Sequence, residues 1–288
     1  MRITTTAWRF NSTVAGVIAL GLAVAVTLDP GPANASEDGK YPDWKGQWTR
    51  IGSGQWDPSR TGGPRQQQAP LTPEYQAKLE RGLAEMAAGG HGNNPTVTCL
   101  PPGMPRAMLP YESMEIIIEP DVTHIEIEFM GQLRRIYTDG RDWPRPIEPA
   151  YLGYSIGHWE DADEAGRYRS LVVETRGMKG PRTFDGSVPL HADNQTVVKE
   201  RIYADGSDAG LLHNEITTID DALIRPWTVT RSYRRQRQAI WFEYPCAENN
   251  EHIFIGKENY YLSADGDLMP AHKNQAPPDL RNFDQPPR

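Results

Sequence analysis

The chain has 288 residues, 38% of them hydrophobic and 24% charged, with a formal net charge of -8. That length carries one large or two modest domains around a proper core, and eight Trp, twelve Tyr and six Phe argue against wholesale disorder. The acidic balance gives no support to a nucleic-acid backbone binder, which needs a basic stripe, and 26 Gly with 25 Pro favour turns and long loops over a helical bundle.

Residues 1–35 read as a secretory signal. Arg2 and Arg9 give a positive start, Val14 to Leu28 is uncharged, and Ala33-Asn34-Ala35 places small residues at the cleavage site. The alternative, a membrane anchor, asks for roughly 20 apolar residues, more than this run supplies. The expectation is export and cleavage after Ala35, leaving a periplasmic or extracellular protein with no stable membrane insertion.

Residues 36–98 form the next segment, an N-terminal arm followed by a helix. The arm repeats Gly46-Gln47-Trp48 as Gly54-Gln55-Trp56. Gly-x-Trp near a mature N-terminus occurs in lipocalin-type barrels, where the Trp packs across the barrel bottom; an anchored irregular arm uses the same residues. Thr72-Pro73-Glu74-Tyr75 combines an N-cap, a proline at the first helical position and an acid in the first turn. Tyr75, Leu79, Leu83 and Met86 follow at helical spacing until Gly89-Gly90, predicting one amphipathic helix.

Residues 99–250 are expected to form the barrel, and from about Met114 to Cys246 the period switches to two. Ile125, Ile127 and Phe129 alternate with His124, Glu126 and Glu128, and similar runs occupy 113–119, 132–138, 153–159, 169–175, 196–203, 211–219, 224–234 and 238–246. The expected fold is mainly β: an antiparallel, lipocalin-like barrel of about nine strands, closed because closure removes exposed edges. Residues 251–288 are expected to pack on the barrel as an extension or to fray. The only cysteines, Cys99 and Cys246, are expected to pair in an exported protein. Two separate buried thiols or a redox pair are the alternatives, the latter without a Cys-x-x-Cys spacing to support it. The bridge would close a loop of roughly 150 residues, worth about 5 kcal/mol by chain entropy.

The ordered motifs Cys99-Leu-Pro-Pro-Gly-Met-Pro-Arg106, Arg134-Arg-Ile-Tyr-Thr-Asp-Gly-Arg141, Gly153-Tyr-Ser-Ile-Gly157, Lys179-Gly-Pro-Arg182, Leu190-His-Ala-Asp-Asn-Gln-Thr196 and Arg225-Pro-Trp-Thr-Val229 resemble a large, mostly uncharacterised group of exported bacterial lipocalin-like β-barrel proteins. The resemblance spans roughly residues 43 to 288. It implies export and a β-rich body, and an association of relatives with bacterial breakdown of lignin-type aromatics is the one substrate indication it carries. Relatives often carry an Asp-x-Asp-Gly-Asp-Gly-x-Tyr-Asp loop that looks able to hold calcium. Here Asp161 and Asp163 remain, while Ala165 and Arg169 stand where carboxylates would be. A Ca2+ site is thereby weakened, and a solvated acidic turn is the competing reading.

No Gly-x-Ser-x-Gly elbow, His-Glu-x-x-His, phosphate loop or dinucleotide motif is present, so no organic cofactor is expected. The seven histidines show no tight metal-ligand spacing. Four groups of residues remain. His213 and Glu215 share a strand face, where a carboxylate two residues away suits acid–base chemistry; a solvent-face ion pair is the alternative. His191 sits in a polar loop, His191-Ala-Asp193-Asn194-Gln195, able to close a barrel mouth. Tyr154 and His158 share another face and meet substrate if that face points inward. Arg135 and Tyr137, with Arg225 and Trp227, suit a carboxylate, a phenolate or an aromatic ring, and equally suit structural packing.

Two functions follow. The first is an exported, cofactor-independent hydrolase or lyase cleaving an ether or similar bond of a small aromatic. His213 with Glu215, or His191, would move the proton, Tyr154 would assist, and Arg135 or Arg225 would stabilise an oxyanion. The second is a cell-envelope carrier for a small aromatic or apolar molecule. Convergence of His191, His213 and Glu215 on one pocket separates them.

Overall fold

The computed structural model describes residues 39–52, 69–160, 163–238, 240–246, 251–256, 258–263 and 265–281. The expected signal, Gly54-Gln55-Trp56 and Asp161 lie outside these residues. Nine strands close into a barrel in sequence order: β1 (Gln47–Ile51), β2 (Ser113–Ile118), β3 (Val122–Ile127), β4 (Gln132–Tyr137), β5 (Tyr154–Glu160), β6 (Ser170–Arg176), β7 (Val197–Ala204), β8 (Leu211–Ile219) and β9 (Trp227–Arg235). The period-two pattern explains why. In β3, Thr123, Ile125 and Ile127 are buried while Val122, His124 and Glu126 are partly exposed, so one face fills the interior and the other meets solvent.

The expected number of strands is right, but one of them is different. Segment 238–246 contains no strand among its described residues; Ile240 and Phe242 are exposed there. The barrel is instead closed by β1, from the expected arm, which pairs with both β2 and β9. Trp48 explains the choice. It is fully buried, and its indole Nε1 donates to the Trp44 carbonyl at 2.9 Å, so closure on this side buries a whole indole. Segment 240–246 is tethered rather than paired. The backbone N–H of Phe242 donates to Oε1 of the buried Glu128 at 2.6 Å, and Cys246 forms the expected disulfide with Cys99, Cα to Cα 5.7 Å.

A second correction concerns strand direction. β4 and β5 run parallel, so the barrel is mixed rather than wholly antiparallel. A parallel pair needs a crossover, here the Pro-rich loop 138–153. The pairing is short, with Ile136 opposite Ser155 and Tyr137 opposite Ile156 only.

The helix α1 (Pro73–Ala87) begins as the sequence requires, with Thr72 Oγ1 accepting from the Tyr75 N–H at 3.4 Å. It buries Tyr75, Leu79 and Gly82, whereas Leu83 and Met86 are exposed; only its first half packs on the core. Residues 99–109 form a strap beneath the barrel. Its Met104 and Met108 are fully buried, and the inward-facing Tyr233 hydroxyl donates to the Met108 carbonyl at 2.6 Å. Gly103 has φ +61°, and a Cβ there would lie 2.5 Å from the Tyr151 carbonyl oxygen. Only glycine allows the adjacent Met104 N–H to reach that same oxygen at 2.9 Å. The strap thus fixes residues 150–153, which border the site described below.

The C-terminal segment neither frays entirely nor joins the barrel. It forms a three-stranded sheet of β10 (His252–Ile255), β11 (Glu258–Leu262) and β12 (Leu268–Pro270), with Tyr260 and Ala271 buried. Lys273 N–H donates to the Ala88 carbonyl at the end of α1, and the His91 ring meets His252 with centroids 4.1 Å apart. Burial, and secondarily the neighbouring His252, hold His91 below the usual imidazole range. The unfolded chain therefore binds the proton first, and stability falls as pH drops below the unfolded value of about 6.5. Thermal unfolding between pH 7 and 5 should show a fall in midpoint that is shallower in His91→Gln.

Candidate functional site

The short β4–β5 pairing opens the barrel wall. Before Ile136, β4 has no strand partner on that side among the described residues. The gap is a cavity of about 350 Å³, within the usual range for small-molecule sites. Both faces of β4 line it. Gln132 and Arg134 come from the inward face, and Leu133, Arg135 and Tyr137 from the outward one. Tyr154 and Ser155 complete the opposite side, with Pro101 of the strap.

The inner wall is a buried ion pair in a hydrogen-bonded frame. Arg134 and Glu200 are 1% and 2% exposed. Arg134 Nη1 donates to Glu200 Oε1 at 3.1 Å, and its Nη2 pairs with Glu200 Oε2. Nη2 also donates to Thr175 Oγ1 at 2.9 Å, and Ser155 Oγ lies 3.3 Å from Nη2. Asn214 Nδ2 donates to Glu200 Oε1 at 2.8 Å. Burial, reinforced by the Glu200 charge, pushes the nearby Tyr233 phenol up, so it remains a neutral donor. The guanidinium and carboxylate pair within this hydrogen-bonded frame, which braces the back of the cavity.

Gln132 differs from this frame. It is 7% exposed, yet both its Nε2 and its Oε1 are buried with no hydrogen-bond partner among the described residues. A buried amide without partners costs about 1–3 kcal/mol per group. Gln132 also lines the cavity, so a turn of its side chain would bring this buried amide to a ligand there.

The outer rim is aromatic. Tyr137 and Tyr154 stack with centroids 5.0 Å apart, Arg141 lies 3.8 Å over the Tyr137 ring, and its Nη1 donates to the Tyr154 hydroxyl at 3.3 Å. Asp139 holds that guanidinium from the other side, Nε to Oδ1 2.9 Å. Arg135, exposed, adds positive charge beside the mouth.

Of the expected residues, Arg135, Tyr137 and Tyr154 therefore meet at one cavity. The others disperse. His213 and Glu215 lie on the outer face of β8, whose inward face carries Leu212, Asn214, Ile216 and Thr218. The carboxylate holding His213 is Asp205, at 3.2 Å from Nε2, with Ser232 Oγ 2.9 Å from Nδ1; Glu215 instead accepts from the Tyr203 hydroxyl at 2.9 Å. His191 sits beyond the opposite end of β8, where its backbone N–H donates to Asp220 and Nδ1 pairs with Asp193 at 3.0 Å. The two lie toward opposite ends of β8, each with its own partners among the described residues. His158 is exposed on the outer wall and bonded to Glu160, because the inward face of β5 is the one bearing Ser155 and Gly157. Trp227 is core, 4% exposed and 4.4 Å from Phe184; Arg225 precedes the strand and is exposed. Pro226 delays β9 to Trp227, which separates the two.

The carboxylate of Asp163 is already engaged. Its Oδ1 accepts from the Ala165 and Arg167 N–H groups, and Arg167 Nε reaches Oδ2 at 2.9 Å. These contacts, led by the Arg167 backbone N–H, hold it below the usual carboxylate range, and two arginines face a would-be cation. The cluster of His191, Asp193 and Asp221 is the group of described residues with metal-compatible spacing.

Sequence reasoning missed Gln132, Arg134, Glu200 and Asn214. Their signal was phase. Arg134 shares parity with Ile136, and Glu200 with Val198 and Ile202, so each charged residue sits on the apolar face of its strand. No family model matches the sequence, and no characterised protein is detectably similar to it.

Proposed function

We propose that the protein binds a small phenol or aromatic acid in the β4–β5 seam, as an exported carrier or binding protein. The observation that carries this reading is Gln132. Its amide supplies one donor and one acceptor at the inner end of a cavity whose rim is Tyr137, Tyr154 and Leu133. A hydroxyl or carboxyl head pairs with both, while the ring packs on the tyrosines, with Arg135 favouring an anion. Export is supported by the N-terminal pattern and by the disulfide. No helix among the described residues is long and apolar enough to cross a membrane.

Calorimetric titration with 4-hydroxybenzoate tests the reading. Binding should weaken about tenfold or more in Gln132→Leu, which removes the polar pairing without opening space. Equal affinity in that variant would remove the seam from consideration. An acid–base enzyme stands second, on one observation: the half-buried His213 is held between Asp205 and Ser232. Turnover of an aryl ether, lost in His213→Ala and kept in Gln132→Leu, would place it first.

A further inference from the structure

We propose that the seam cavity is one half of a two-part site, whose second half takes the acidic second ring of an extended aromatic ligand. The inference rests on the reading of the seam given above and deepens it. A cavity of about 330 Å³ lies on the outer wall of β5, β6 and β7, lined by Trp143, Ile156, His158, Glu174, Arg176 and Lys199 among others. Trp143 belongs to the β4–β5 crossover loop, the same loop whose last residues border the seam.

The two cavities are linked by one ring contact, between Tyr154 of the first and Trp143 of the second. Tyr154 stacks on Tyr137 in the seam, and it also meets Trp143, with centroids 6.2 Å apart at 58°. Arginines close both ends of this row: Arg141 lies 3.8 Å over Tyr137, and Arg176 lies 4.5 Å over Trp143. The sequence of groups is therefore Arg141, Tyr137, Tyr154, Trp143, Arg176, continuous from one cavity into the other. Such a row offers π faces at successive positions, already held in place by cation–π contact.

Charge defines what the second cavity prefers. Arg176 and Lys199 both pair with the single carboxylate of Glu174, Nε to Oε1 2.5 Å and Nζ to Oε2 3.5 Å. These three groups together carry one net positive charge. The facing imidazole, His158, is bonded to Glu160 at 2.8 Å. Ile156 and Val172 supply an apolar floor. A planar ring bearing a carboxylate matches all three features, and a short flexible link across Tyr154 joins it to the ring in the seam.

The test compares a one-ring acid, 4-hydroxybenzoate, with a two-ring acid that keeps a phenol on the first ring, 4-(4-hydroxyphenoxy)benzoate, on the purified protein by calorimetry. The two-ring acid should bind about tenfold tighter. Trp143→Ala should erase that advantage, and Arg176→Gln should lower two-ring affinity and its salt dependence together. Thermal unfolding checks that both variants fold; Arg176→Gln, on an exposed side chain, keeps the test open if Trp143→Ala does not. One-ring binding with no gain for the second ring, or a gain indifferent to both substitutions, overturns the two-part site while sparing the seam. Failure of both probes overturns both readings.

Discussion

Glu200→Ala is expected to destabilise the fold by about 3–5 kcal/mol, because it leaves the Arg134 guanidinium buried and uncompensated inside the barrel. Arg134→Ala should cost a similar amount by stranding the carboxylate. The informative variant is the double replacement of Arg134 by Met and Glu200 by Leu. Buried ion pairs exchanged for apolar residues of similar volume are often neutral or stabilising, so the double variant should recover most of the loss in urea denaturation. It should also loosen the seam, because Ser155 and Thr175 lose the guanidinium that braces β5 and β6 against β4. Recovered stability with weakened ligand binding would identify the pair as a positioning device; equal loss in all three variants would assign it to stability alone.

Removing the disulfide is the second large effect. Cys99 and Cys246 are 147 residues apart, and a loop of that length corresponds to about 5 kcal/mol of denatured-state entropy, within the measured range of about 2–5 kcal/mol for native bridges. The double Cys→Ser variant should therefore unfold at markedly lower denaturant, with most of the change in the unfolded chain. A local effect is expected as well. Segment 240–246 has no strand pairing among its described residues and leans on the bridge and on Glu128. Proteolysis should cut there first in the variant. A loss below about 1 kcal/mol would show that the barrel closes without help from the bridge.

The closed β-barrel was legible because alternation is strong in eight of its nine strands. The ninth was misplaced for a physical reason. Segment 238–246 alternates well, but its apolar residues find no face to cover, whereas the short β1 supplies Trp48, whose burial decides closure. The parallel step was invisible, since nothing in the strands β4 and β5 encodes direction; the Pro-rich stretch between them, too long for a hairpin, was the available signal. At the site, Arg135, Tyr137 and Tyr154 were found by residue type. Arg134 was passed over beside Arg135, although Ile136 fixes which arginine faces inward. His213 and His191 were chosen as chemistry-bearing residues, and the strand phase that places His213 outside was readable from Leu212 and Ile216. That Gln132 has no hydrogen-bond partner among the described residues is a property of the assembled wall and has no sequence signature.

The central claim is that the seam is a binding site whose polar contact is the Gln132 amide. Side-chain amide NMR during titration with 4-hydroxybenzoate tests it directly. The account predicts a saturable shift of the Gln132 Nε2 protons, accompanied by backbone shifts confined to residues 132–137 and 150–155. A saturable response elsewhere on the molecule with Gln132 unmoved, or no response at millimolar ligand, would contradict it.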